Sequence, residues 1–161
     1  MTAYLRRHIF PMVILAAVVT FLAAQIGALS TTLNQRHLRS LPTTEFVNYE
    51  YVEFVDIDPN GRNGQGAIRM RSRSAFPQGG DIEWNDELLC TDPTTGDTQL
   101  VSTSTTERHG AEPRPEAVTS PPWHYGASYS INSTCQMRST ITVTINGVTK
   151  RQTVTTDLFE T

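Results

Sequence analysis

Four side chains in one stretch are the first candidates for chemistry: Glu107, His109, Glu112 and His124. Two imidazoles and two carboxylates are ligand types for zinc, but protein zinc sites gather their ligands in characteristic short spacings. These four follow no such pattern, so no metal and no cofactor is expected. Either histidine would have to serve as the base for a nucleophile such as Ser128 or Ser130. No Gly-x-Ser-x-Gly elbow, HExxH pair, P-loop or GxGxxG is present beside them. The chain is therefore expected not to be an enzyme, and no catalytic residue is assigned.

Three further groups have binding chemistry. Asp56-x-Asp58-x-Asn60-Gly61 reproduces the first half of a calcium loop, but the twelfth position is Ala67 where a bidentate glutamate belongs. A plain Asx and glycine turn is the preferred reading. Arg69, Arg71 and Arg73 alternate along one strand face, a basic stripe about 13 Å long. It suits anionic headgroups or an acidic glycan, although Glu50, Asp56, Glu83 and Glu87 on neighbouring polar faces offer cross-strand pairing, which is favoured. Trp123, Tyr125 and Tyr129 offer an aromatic platform for sugar rings or a protein partner. Core packing is the commoner use of aromatics at alternate positions.

The elements that must position these residues begin with a membrane segment. The 21 residues from Ile9 to Leu29 contain no charged side chain. As a helix rising about 1.5 Å per residue they span about 31 Å, the thickness of a bilayer's hydrocarbon core. Pro11 is expected in the first turn, where its missing N–H costs little. The rival reading is a cleaved signal peptide ending near Ser30, but signal apolar regions run about 7 to 15 residues, and this one is longer. A retained anchor in contact with lipid through residues 9–29 is preferred. Arg6 and Arg7 flank one end, Arg36 and Arg39 the other, so charge counting barely separates the two orientations. The nearer pair and the cysteines place residues 1–8 in the cytoplasm. Residues 30–45 read as a polar stalk, with a short helical continuation stopped before Pro42.

Cys90 and Cys135 are the only cysteines. Both fall on the apolar parity of a strand, and outside the cytoplasm such a pair is expected to be bridged. Two reduced core cysteines in a cytoplasmic domain are the alternative. With a net charge of -3 the chain is a poor match for phosphate backbones, so nucleic acid is not an expected partner.

Residues 46–161 suffice for one domain with a single core. Val47, Tyr49, Tyr51, Val55 and Ile57 share one parity of a first strand, and Ile68 and Met70 oppose the arginines in a second. In a third, Ile82, Trp84, Leu88 and Cys90 share an inner parity that Asp86 interrupts. Thr98–Ser104 reads as a short polar strand, and Thr105–Pro122, with four prolines, as a long exposed loop. Cys135 to Ile145 alternates cleanly and meets Asn146-Gly147, the preferred dipeptide of a type I′ hairpin turn. That turn pairs Ile145 with Val148, Ser139 with Val154 and Cys135 with Leu158, and puts Lys150 and Gln152 on the inner parity near the tip, beyond the core.

About seven short strands with one cysteine pair predict an all-β, immunoglobulin-like antiparallel β-sandwich behind one transmembrane helix. The order of Trp84 and Cys90 within one strand departs from the antibody pattern. The layout of N-terminal anchor, Tyr49-Glu50-Tyr51-Val52, Ile82-Glu83-Trp84-Asn85-Asp86-Glu87-Leu88-Leu89-Cys90 and Cys135-Gln136-Met137-Arg138 resembles small membrane-anchored β-sandwich proteins of tailed bacteriophages. The resemblance implies a bacterial-envelope setting, with the C-terminal domain in the periplasm, and no specific activity. The expected function is that of a single-pass accessory protein with an extracytoplasmic binding domain for an unknown protein or glycan. A secreted or virion-borne module released near Ser30 is the alternative.

Overall fold

A computed structural model describes residues 2–59, 67–126 and 133–161. The chain forms two compact units, residues 1–40 and 41–161. The calcium-like half-loop at Asn60-Gly61 and the aromatic position Tyr129, with Ser128 and Ser130, lie outside the described residues.

The first unit is a single helix, α1, Thr2–Ser40. The expected stalk from residue 30 to residue 40 is thus a continuation of the helix, and Pro11 lies well inside it instead of in its first turn. The residues ahead of Pro11, including Tyr4, Leu5, Arg6 and Arg7, are good or neutral helix formers, so the helix starts earlier and accepts one missing bond. Thr20, Thr31 and Thr32 return their hydroxyls to the carbonyls of Ala16, Gly27 and Ala28, which hides their polarity along the helix. The part from Val13 onward is long and apolar enough to cross a membrane. Its large side chains are open, with Leu15, Phe21 and Ile26 each more than 60% exposed.

The second unit is a pair of antiparallel sheets entered through a 3-10 turn, Thr43–Glu45. One sheet holds β1 (Asn48–Asp58), β2 (Ala67–Phe76) and β5 (Arg114–Thr119) in that order, with β6 (Trp123–Gly126) also pairing with β2. The other runs β4 (Thr98–Ala111), β3 (Gly80–Thr91), β7 (Thr134–Ile145) and β8 (Val148–Thr155), and β9 (Phe159–Glu160) adds to β7. Ile68, Met70, Leu88, Met137, Ile141 and Val143 are fully buried, as the alternation in β2, β3 and β7 requires. Each such side chain contributes about 1.5 to 3 kcal/mol. Thr140 faces Thr153 and Thr144 faces Thr149 on the outer side of the last hairpin, hydroxyl to hydroxyl at 2.8 and 2.9 Å. Asn146 and Gly147 both have positive φ, 49° and 76°, as a type I′ turn demands.

Four expectations need correction. In β1, register irregularities between Tyr49 and Tyr51 and between Phe54 and Asp56 flip the parity twice. The inward series therefore reads Tyr49, Val52, Phe54, Ile57, and Tyr51 turns outward opposite Arg73. The segment Thr105–Pro122 is mostly strand: β4 runs on to Ala111, and β5 follows after Pro113. Both are edge strands, where proline and polar residues on two faces are tolerated because one side of the ladder has no partner to lose. Cys135 pairs with Phe159, not Leu158, because an extra residue is accommodated around Thr156, whose hydroxyl accepts from the Met137 N–H at 3.0 Å. Phe159 then turns inward and stacks on Phe54 at 4.4 Å. Finally, Gln152 is not beyond the core. Its amide accepts from the Tyr49 N–H at 3.0 Å and donates to the Tyr49 carbonyl at 2.9 Å, closing the free edge of β1.

Candidate functional site: a cleft between the sheets

Polar side chains gather in one part of the inward faces of the two sheets. There β2 turns from Ile68 and Met70 to Ser72 and Ser74, β3 places Asp86 between Trp84 and Leu88, and β7 places Ser139 between Met137 and Ile141. Asp86 and Ser139 are direct register partners, so two interruptions of separate patterns meet at one level. An open cleft of about 290 Å³ lies at this layer. Trp84 and Trp123, from opposite sheets, line it, and Thr106 and Ser120 add hydroxyls at its margin.

A chain of hydroxyls leads to the carboxylate. Tyr49 donates from its phenol to Ser139 Oγ at 3.0 Å, and Ser139 Oγ donates to Asp86 Oδ1. Burial pushes the Asp86 carboxyl above the ordinary aspartate range, and the Ser139 hydroxyl offsets this in part. Burial also pushes Tyr49 up to about 12, with the Asp86 charge adding to it. Among the described residues no cation is ion-paired with Asp86. Trp84 is held in place by Phe76, which meets it edge to face at 5.8 Å.

The residues singled out from the sequence are divided between this cleft and other places. Trp123 lines it. Tyr125 is buried beside it, 4% exposed, and donates to the Asp86 carbonyl at 3.3 Å, so it supports the layer from within. Arg69, Arg71 and Arg73 lie on the outer face of β2, paired with Asp56 at 3.2 Å, with Glu53, and with Glu50 at 2.7 Å. Glu87 belongs to Arg138 instead, at 2.6 Å. His124 meets Asp58 at 3.3 Å, and His109 stands 3.6 Å from both Asp81 and Glu107. Among the described residues no group of His, Cys, Asp or Glu is placed to hold a metal.

Cys90 and Cys135 are bonded, with their Cα atoms 4.1 Å apart. They are register partners on adjacent strands β3 and β7, so the bridge lies within one sheet. No protein-family model matches the chain, and no curated protein is significantly similar to it.

Sequence reasoning missed Asp86 as a site. The signal was a carboxylate on an inward parity, and it gained meaning only when Ser139 and the two tryptophans were brought to the same level. Folding disfavours the charged form of Asp86, so its penalty is present above the folded pKa and fades as pH falls toward the unfolded value of about 4. Asp86→Asn is therefore expected to raise the thermal midpoint at neutral pH, with the gain closing on acidification. Melting curves across pH read this directly, and an unchanged or lower midpoint at neutral pH would contradict it.

Proposed function

We propose that this chain is a single-pass, membrane-anchored binding protein whose domain of residues 41–161 stands outside the cytoplasmic membrane and takes a ligand into the cleft between its sheets. One observation carries the reading. Asp86 is a part-buried carboxylate without a cationic partner among the described residues, in a cleft open to solvent and walled by two tryptophans. A fold under selection for stability alone gains by replacing such a group, so its presence fits a binding task.

The Cys90–Cys135 bridge supports an oxidising compartment. With it, Arg6 and Arg7 read as the cytoplasmic flank of α1. The immunoglobulin-like reading is supported by strand order. The series β4-β3-β7-β8 corresponds to C′-C-F-G, and β1-β2-β5 to A-B-E. Trp84 stands on the C-equivalent strand, whereas the bridge joins C to F where antibody domains join B to F. A bacterial-envelope role in a phage setting rests on the resemblance of the anchor and strand layout. Catalysis is disfavoured, since the two described histidines near the domain's strands are engaged with carboxylates away from Ser139.

The test is the sidedness of a C-terminally tagged full chain in spheroplasts. Protease added outside is expected to remove the tag while intact mass before digestion shows an uncleaved N-terminus. A protected tag would reverse the topology, and loss of about 30 residues would replace the anchor with a released module.

A further inference from the structure

The cleft contains one ionisable group of formal charge at neutral pH, Asp86; its other polar lining is hydroxyl, from Tyr49, Ser72, Ser74 and Ser139 among others. A saccharide would be served by hydroxyls and an aromatic face alone. A part-buried carboxylate held without a counter-ion among the described residues asks for a cation. Indole is the aromatic ring that attracts cations best, and paired aromatic walls are the known recognition mode for alkylated ammonium groups. The volume of about 290 Å³ admits a small organic cation with its substituents and is larger than a bare metal ion needs. The hydroxyl chain from Tyr49 through Ser139 fixes the carboxylate's position, so little ordering is left for binding to pay.

We propose that the cleft recognises a small alkylammonium group, with Asp86 as its counter-ion and the Trp84 and Trp123 rings as its walls. This deepens the binding reading above and rests on it. A free metabolite and a lipid headgroup can both carry such an ammonium; the chemistry at Asp86 is the same.

Trp84 and Trp123 are the only tryptophans in the chain, and both line the cleft. Tryptophan-selective fluorescence of the full chain, held in a sugar-free polyoxyethylene detergent, therefore reports on this site alone. Choline is expected to change it saturably, with a Kd of about 1 mM or tighter. 3,3-Dimethyl-1-butanol, its uncharged carbon isostere, should act at least tenfold more weakly. Asp86→Asn should abolish the preference for choline over the isostere, with circular dichroism checking that the variant is folded. Ser139→Ala, which keeps the carboxylate but releases its hydrogen bond, is expected to weaken choline less than Asp86→Asn.

Equal action of choline and the isostere, or a preference that survives Asp86→Asn, overturns the proposal. Saturation by glucose or maltose with no response to choline also overturns it, while leaving the cleft as a binding site. Reconstitution into phosphatidylglycerol vesicles with and without phosphatidylcholine, whose headgroup carries the same trimethylammonium as choline, separates the sources. A fluorescence change on adding the second lipid assigns the ammonium to a headgroup, and a change only with soluble choline assigns it to a free cation. Because the detergent measurement does not depend on orientation, its failure is distinct from a failure of the sidedness test.

Discussion

Replacing Cys90 and Cys135 together by alanine is expected to destabilise residues 41–161 by about 4 kcal/mol. The bond closes a loop of sequence separation 45, and the chain-entropy model assigns about that much to restricting the unfolded chain. Both residues are buried, 5% and 0% exposed, so the substitution also removes two sulfurs from packed positions. The strands it joins, β3 and β7, are the central pair of their sheet. Against a typical domain stability of about 5 to 15 kcal/mol this is a large share. Urea unfolding with and without a thiol reductant should show the parent chain losing much of its midpoint on reduction and the double variant unaffected by reductant. Parent and variant midpoints that coincide under oxidising conditions would mean that the bridge adds nothing. The practical consequence is compartmental: the same domain made in a reducing cytoplasm would fold with a much smaller margin.

Val18→Arg with Leu22→Arg is expected to release the protein from membranes. The two positions lie one turn apart near the middle of the apolar run and are 48% and 53% exposed. Each arginine at the centre of a spanning helix costs about 2.5 to 3.5 kcal/mol of insertion free energy, so the pair costs about 5 to 7 kcal/mol. Alkaline carbonate extraction distinguishes the outcomes, with the parent retained in the pellet and the variant extracted. Arginine at Thr31 and Thr32, beyond the apolar run, serves as the control and should remain in the pellet. If the mid-helix variant stays as firmly bound as the control, lipid contact through residues 9–29 is wrong.

The strands that were legible in sequence are those whose two faces meet different surroundings throughout. β7 buries Met137, Ser139, Ile141 and Val143 and turns Arg138 outward, so period two survives from sequence into structure. β2 and β3 behave alike, and the Asn146-Gly147 turn needed only its own two dihedral preferences. β1 failed as a single parity because each bulge spends one residue without a cross-strand partner, and nothing local in Glu50 or Val55 announces it. β4 beyond Ser104, and β5, read as loop in sequence because edge strands exposed on both faces lack the alternation that burial imposes. The cleft was less accessible still. Its carboxylate, hydroxyls and tryptophans come from strands far apart in sequence, and their meeting depends on register between strands and on packing between sheets. Asp86 could be seen as an exception to its pattern, but its purpose needed Ser139, more than fifty positions later.

The Gln152 amide has a mechanical consequence. Backbone tension applied from the N-terminal side of residue 41 would pass the short turn at Thr43–Glu45 and reach β1 first. A load along that strand is shared among its nine registered pairs with β2, whereas a load across it would open them in turn from the Asn48 end. Peeling must begin beside Tyr49, and there the two amide hydrogen bonds of Gln152 tie the strand to β8 in the other sheet. The side chain would act as a latch at the end of β1 where such a load enters.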